Sequence, residues 1–136
     1  MKKVRKIALV AKADKPTTQR IVQRAVKLAV AAGLTPITDD DTARLAKLKL
    51  PTRKNPAELS RLADLIMVFG GDGTMLHVAS VQAQVDLPVI GINMGRLGFL
   101  TDIPADRFAA DFDLMLSGDF EIEERMMIKA GFVRQG

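Results

Sequence analysis

The 136-residue sequence has no cysteine, tryptophan or tyrosine, and His77 is its only histidine. Without cysteine there is no disulfide, no thiolate metal site and no cysteine nucleophile, a composition that suits a reducing compartment and makes the cytoplasm the expected location. A lone histidine with no cysteine beside it lacks the partners of a zinc ligand set. Long apolar runs are missing too. No stretch reaches the roughly 18 uninterrupted apolar residues of a spanning helix. The basic start, residues 1–6, leads into only five apolar residues before Lys12 interrupts them. A first β-strand is therefore expected there rather than a secretion signal. The six phenylalanines are the only aromatics, and none interleaves with a basic run as in single-strand nucleic-acid binders. A net charge of +4 with scattered Lys and Arg favours small anionic molecules, with no nucleic-acid and no membrane partner.

What is present is enough for a folded domain, since 48% of residues are hydrophobic and 26% charged. Residues 4–10 read as a strand, and Asp14 and Pro16 as the start of a helix. Ile21, Ala25 and Ala29 repeat beside Val22, Val26 and Val30, and Gly33 stands where a left-handed helix end is expected. Residues 34–38 predict a second strand and residues 42–48 a short helix. Asn55 and Pro56 look like another cap and first-turn pair. Residues 65–69 and 88–92 are near-continuous apolar strands, with a helix pattern between them. This alternation predicts an α/β fold with a doubly wound, mostly parallel sheet, whose ligands sit beyond the carboxyl ends of the strands. Residues 104–116 predict a last helix stopped by Gly118. Beyond it, Phe120 and Ile122 alternate with Glu121 and Glu123, and residues 126–133 are β-like. The organisation expected is a nucleotide-binding α/β domain over 1–118, with residues 119–136 opening an incomplete β-rich domain.

The candidate site is the run Gly70-Gly71-Asp72-Gly73-Thr74 at the end of the apolar strand 65–69. Glycines allow positive φ and bring backbone N–H groups close to an anion. A helix starting at Gly73 or Thr74 would aim its N-terminal partial charge at the same point. The run matches neither the Walker pattern, since no Gly-Lys-Ser/Thr follows, nor the spaced glycines of the dinucleotide fingerprint. It reads as another kind of phosphate loop with a base in it; a tight turn with an incidental acid is the alternative. A second glycine-bearing segment, Asn93-Met94-Gly95-Arg96-Leu97-Gly98-Phe99-Leu100, follows the next strand.

In this order and spacing the two segments resemble the NAD kinase family, with its Gly-Gly-Asp-Gly motif after one strand and Gly-X-X-Gly-Phe after the next. The resemblance covers essentially the whole chain as that family's N-terminal Rossmann-like domain. The first motif alone is shared with diacylglycerol, sphingosine and phosphofructokinase families; the second favours NAD kinase. The resemblance implies that Asp72 is the general base for the adenosine ribose 2′-hydroxyl of NAD. ATP would be the phosphoryl donor, with a divalent metal, Mg²⁺. Gly70, Gly71, Gly73 and Thr74 would shape the loop around phosphates, while His77, Asn93, Leu97 and Phe99 would contact NAD. Phosphoryl transfer independently requires a carboxylate within reach of the attacking hydroxyl, although Asp72 could instead bind the metal. His77 also reads as a plain surface or packing residue, Leu97 and Phe99 as ordinary core, and Arg96 as either a phosphate contact or solvated. Asp39-Asp40-Asp41 reads as a solvated loop and helix cap rather than a metal site.

The Asn-Asp pair and Thr/Gly-rich run of the family's second half have no counterpart, because Asn93 is the last asparagine and Thr101 the last threonine. A fragment of a longer kinase, with low or no activity alone and homo-oligomeric when full length, is therefore expected. The alternatives are a non-catalytic nucleotide-binding module, or a lipid or sugar kinase sharing the glycine-aspartate loop.

Overall fold

The computed structural model describes residues 3–12, 15–82, 85–95, 98–101, 103–117, 120–128, 130, 131 and 133. Four long strands form the centre: β1 (Lys6–Ala11), β2 (Thr35–Asp39), β4 (Leu65–Gly70) and β5 (Val89–Asn93). Two-residue strands, β3 (Thr52–Arg53) and β6 (Ile103–Pro104), close the edges. Strand order is β3-β2-β1-β4-β5-β6, and every pairing is parallel. The expected doubly wound sheet is thus present, with its order reversing between β1 and β4. The two edge strands were not visible in the sequence, since two residues carry no periodicity.

Strand β4 is buried along its whole length, because helices cover both faces of a parallel sheet. Ile7, Leu9, Leu65, Met67, Phe69 and Ile92 face a layer made by α1 (Pro16–Ala31), α2 (Asp40–Ala46) and α5 (Phe108–Leu116). Ala8, Val10, Ile66 and Val68 face α3 (Pro56–Ser60) and α4 (Asp72–Val81). Phe69 meets Phe108 edge to face, with ring centroids 5.9 Å apart, which anchors α5 directly beneath the end of β4. Gly33 follows α1 at φ +80°, as its place in the sequence predicts. Asn55 caps α3 by accepting the Glu58 N–H at 3.1 Å. Asp14, Leu97, Arg96 and Gly118 lie outside the described residues.

Several expectations are corrected. Helix α4 begins at Asp72 with Gly71 as its cap, so the acid belongs to the helix itself rather than to the loop before it. Residues 103–107 enter α5 as a short strand and a 3-10 turn (Ala105–Arg107), because β6 pairs with β5 before the helix can start. Residues 120–128 form neither helix nor strand. Alternating side chains do not make a strand until a neighbouring edge takes up the backbone N–H and C=O groups, and no such pairing occurs among the described residues.

The Asp39-Asp40-Asp41 run is also not uniformly solvated. Asp39 is buried and caps α2, accepting the Thr42 N–H at 3.0 Å. The Thr42 hydroxyl in turn accepts the Ala11 N–H at 2.9 Å, tying the start of α2 to the end of β1. Burial raises the Asp39 pKa, with the Thr42 hydrogen bonds opposing that shift.

Candidate functional site at the ends of the central strands

Strands β4 and β5 end side by side, with Gly70 opposite Asn93. The Met94 N–H donates to the Gly70 carbonyl at 3.2 Å, which holds the two outgoing loops together. The first helical bond of α4 runs from Met75 N–H to the Gly71 carbonyl at 3.1 Å. The N–H groups of Asp72, Gly73 and Thr74 therefore precede the helical ladder, and the positive end of the helix lies at the glycine run.

Asp72 joins the two sequence motifs. Its carboxylate accepts the Phe99 N–H at 2.9 Å through Oδ2 and the Leu100 N–H at 3.0 Å through Oδ1. These two bonds, led by that of Phe99, lower the Asp72 pKa, so the side chain is an anion at neutral pH. The Thr101 backbone N–H adds to the same lowering, so the strap 98–101 turns its backbone donors toward the carboxylate.

Gly70, Gly91 and Gly98 are needed for space rather than for positive φ, which among the described glycines only Gly33 has. A Cβ on Gly98 would fall 2.7 Å from the Asp72 Cγ, so only glycine lets the strap lie against the carboxylate. A Cβ on Gly70 would come 2.8 Å from Thr74 Oγ1, and one on Gly91 2.9 Å from Thr101 Cγ2. Gly71 and Gly73 face open space. The extended conformation of Gly71, φ −113° and ψ −163°, is open to any residue.

Of the residues singled out in the sequence, Gly70 ends β4, Gly71 caps α4, and Asp72, Gly73 and Thr74 form its first turn, with Asn93 and Phe99 on the adjoining loop. Asn93 is buried and accepts the Gly95 N–H at 2.9 Å, which shapes the turn after β5. Phe99 is 93% exposed, so the ordinary-core reading of that residue fails. His77 is exposed on α4, five residues beyond Asp72. Leu97 lies outside the described residues. The sequence reading missed the backbone of Leu100 and the packing of Thr101 on Gly91. Gly91 inside an apolar strand was the available signal, since such a glycine marks a close approach. Thr101 is buried and its hydroxyl has no hydrogen-bond partner among the described residues.

A cavity of about 360 Å³ opens beside the turn, lined by Asn93, Met94, Gly95, Pro104, Ala105 and Asp106. A larger one, about 450 Å³, lies away from the loop against α1 and α2. Among the described residues no three His, Asp or Glu side chains converge as a metal cage. Asp72 is thus a single carboxylate, a donor set that fits Mg²⁺ only when phosphates and water supply most of its ligands. Among the described residues no helix is long and apolar enough to cross a membrane.

Residues 7–120 match the family model of the ATP-NAD kinase N-terminal domain. The chain belongs to the NAD kinase family. A Geobacter NAD kinase is 34% identical over 134 residues, covering 98% of this chain and 46% of the relative. The chain spans about half the length of the curated relatives it matches. Yeast NADH kinase, solved with NADH, superposes with a TM-score of 0.72 at 20% identity, covering 85% of this chain and 39% of that one. An Archaeoglobus fulgidus NAD kinase solved with ATP gives 0.63 at 23% identity, covering 84% and 38%. Both likenesses concern the fold.

Proposed function

We propose that this domain supplies the catalytic-base half of an enzyme that phosphorylates the adenosine ribose 2′-hydroxyl of NAD to NADP, with ATP as donor. The observation that carries this reading is the Asp72 carboxylate, ionised and fixed at the positive end of α4 by Phe99 and Leu100. The ribose hydroxyl gives its proton to Asp72 as its oxygen attacks the γ-phosphorus. The bond from that phosphorus to the bridging oxygen breaks, and ADP leaves. Gly71 and Gly73 leave open space at the helix start for phosphate oxygens. His77, Asn93, Leu97 and Phe99 contact NAD in this reading. A divalent metal, Mg²⁺, would be held by the donor's phosphates with Asp72 as its protein carboxylate, and would supply charge neutralisation there.

Residues 1–118 serve as the nucleotide-binding domain and residues 119–136 lead into the β-rich partner domain, in a cytoplasmic protein that is homo-oligomeric when full length. A non-catalytic nucleotide-binding module is the second reading, favoured by the lowered Asp72 pKa, which weakens the carboxylate as a base. Incubation of the chain with NAD, ATP and Mg²⁺ separates the two, with NADP measured against Asp72→Asn. NADP above the variant supports the kinase; NAD binding without NADP supports the module for this chain.

A further inference from the structure

Three parallel strands end level beside the glycine run. Gly70 of β4 is opposite Asn93 of β5, and Asn93 is opposite Pro104 of β6. Neighbouring strands lie about 4.8 Å apart, so the end of β6 is about 10 Å from that of β4. The cavity of about 360 Å³ opens in the outer of the two gaps, between the turn after β5 and the 3-10 turn after β6.

Its lining pairs apolar walls with one charge. Met94, Pro104 and Ala105 are half-buried and supply the apolar part. Among the described residues that line it, Asp106 alone has an ionisable side chain. Asp106 is exposed and forms no ion pair among the described residues. The neighbouring Arg107 does not neutralise it, because its guanidinium lies 3.7 Å from Asp111 instead. An apolar cavity with an unpaired carboxylate at its mouth fits a flat organic cation, and the transfer chemistry assigned to Asp72 makes no use of it.

We infer that this cavity takes the nicotinamide ring of the acceptor and that Asp106 selects the oxidised over the reduced dinucleotide. The inference rests on the reading of the acceptor as NAD. With the adenosine ribose at Asp72, the pyrophosphate carries the second ribose along the level strand ends toward β6. The oxidised ring bears a positive charge and the reduced ring none, so the Asp106 carboxylate attracts only the first. Adenine, the other flat group of the acceptor, is uncharged and would leave that carboxylate unanswered. Because Asp106 is exposed, solvent screens the attraction and the preference for NAD over NADH is about two- to fivefold.

Amide spectra of the isotope-labelled chain, titrated with NAD, NADH and ADP-ribose, test this by nuclear magnetic resonance. NAD should shift the amides of Gly73 and Thr74 and also those of Gly95, Ala105 and Asp106. ADP-ribose, which lacks the nicotinamide, should shift the first pair and leave Ala105 and Asp106 in place. The preference for NAD over NADH, read from the same titrations, should vanish in Asp106→Asn and reverse in Asp106→Lys, while Asp106→Asn keeps the parent's affinity for ADP-ribose. Shifts at Ala105 and Asp106 as large with ADP-ribose as with NAD overturn the inference. So does a preference for NAD that survives Asp106→Asn, or a failure of NAD to move Ala105 and Asp106 at all. None of these outcomes removes NAD as the acceptor, because Gly73 and Thr74 report its binding separately. A chain on which NAD moves neither group of amides loses both readings. Should the Asp106 variants not fold, the comparison of NAD with ADP-ribose on the parent decides by itself.

Discussion

The carboxylate of Asp72 and the backbone N–H of Phe99, 27 residues apart in sequence, are 2.9 Å apart in the structure. The bond makes one object of two glycine segments that leave adjacent strands. It also fixes the side chain's orientation before any nucleotide binds, which acid-base catalysis requires.

If the strap 98–101 is held by Asp72, Asp72→Ala should release it without unfolding the sheet. Amide hydrogen exchange at Phe99 and Leu100 is expected to rise sharply, while the amides of β1 and β4 keep their protection. Unchanged protection at both amides would show that the strap is held by something else.

The glycines divide into two groups with opposite effects on the fold. Gly98→Ala drives a Cβ into the Asp72 carboxylate and should loosen the strap and weaken nucleotide binding. Gly73→Ala, within α4 and facing open space, should stabilise the fold by about 0.5–1 kcal/mol while weakening nucleotide binding. Thermal melts paired with titration of NAD and ATP distinguish the groups.

Phe99 is exposed, so its loss has little to do with folding. Phe99→Ala should change stability by less than about 0.5 kcal/mol and weaken NAD binding. Equal NAD affinity for variant and parent would remove Phe99 from the site.

Two carboxylates give opposite pH dependences. The Asp72 pKa is lowered, so its contribution to stability is present above the unfolded value and disappears as pH falls through the folded one. The Asp39 pKa is raised, so its contribution is present below the unfolded value and is lost as pH rises through the folded one. Asp39→Asn keeps a side-chain oxygen for the Thr42 cap. Its melting temperature should therefore exceed the parent's at pH 7, with the difference closing near pH 3. A gap that widens toward low pH contradicts the assignment.

Below the site, Phe69 joins β4 to α5. Phe69→Ala should cost about 3–5 kcal/mol, measured by denaturant unfolding, and the loss should shrink in a Phe108→Leu background because the two rings share one contact.

Sequence by itself determined what depends on local chemistry. The apolar run 65–69 bounded by glycines made a buried strand with a ligand-facing end, Asn55 and Pro56 started a helix, and Gly33 ended one. Asp72 stood out because an acid among three glycines is conspicuous without any fold. Tertiary structure decided what depends on chains meeting from a distance. Only packing put Phe99 and Leu100 on Asp72, gave Gly98 and Gly91 their steric reasons, buried Asp39 behind Thr42, and supplied the edges that let residues 52–53 and 103–104 become strands. A propensity is a property of neighbours in sequence, whereas a hydrogen bond between residues 72 and 99 exists only once β4 and β5 lie side by side.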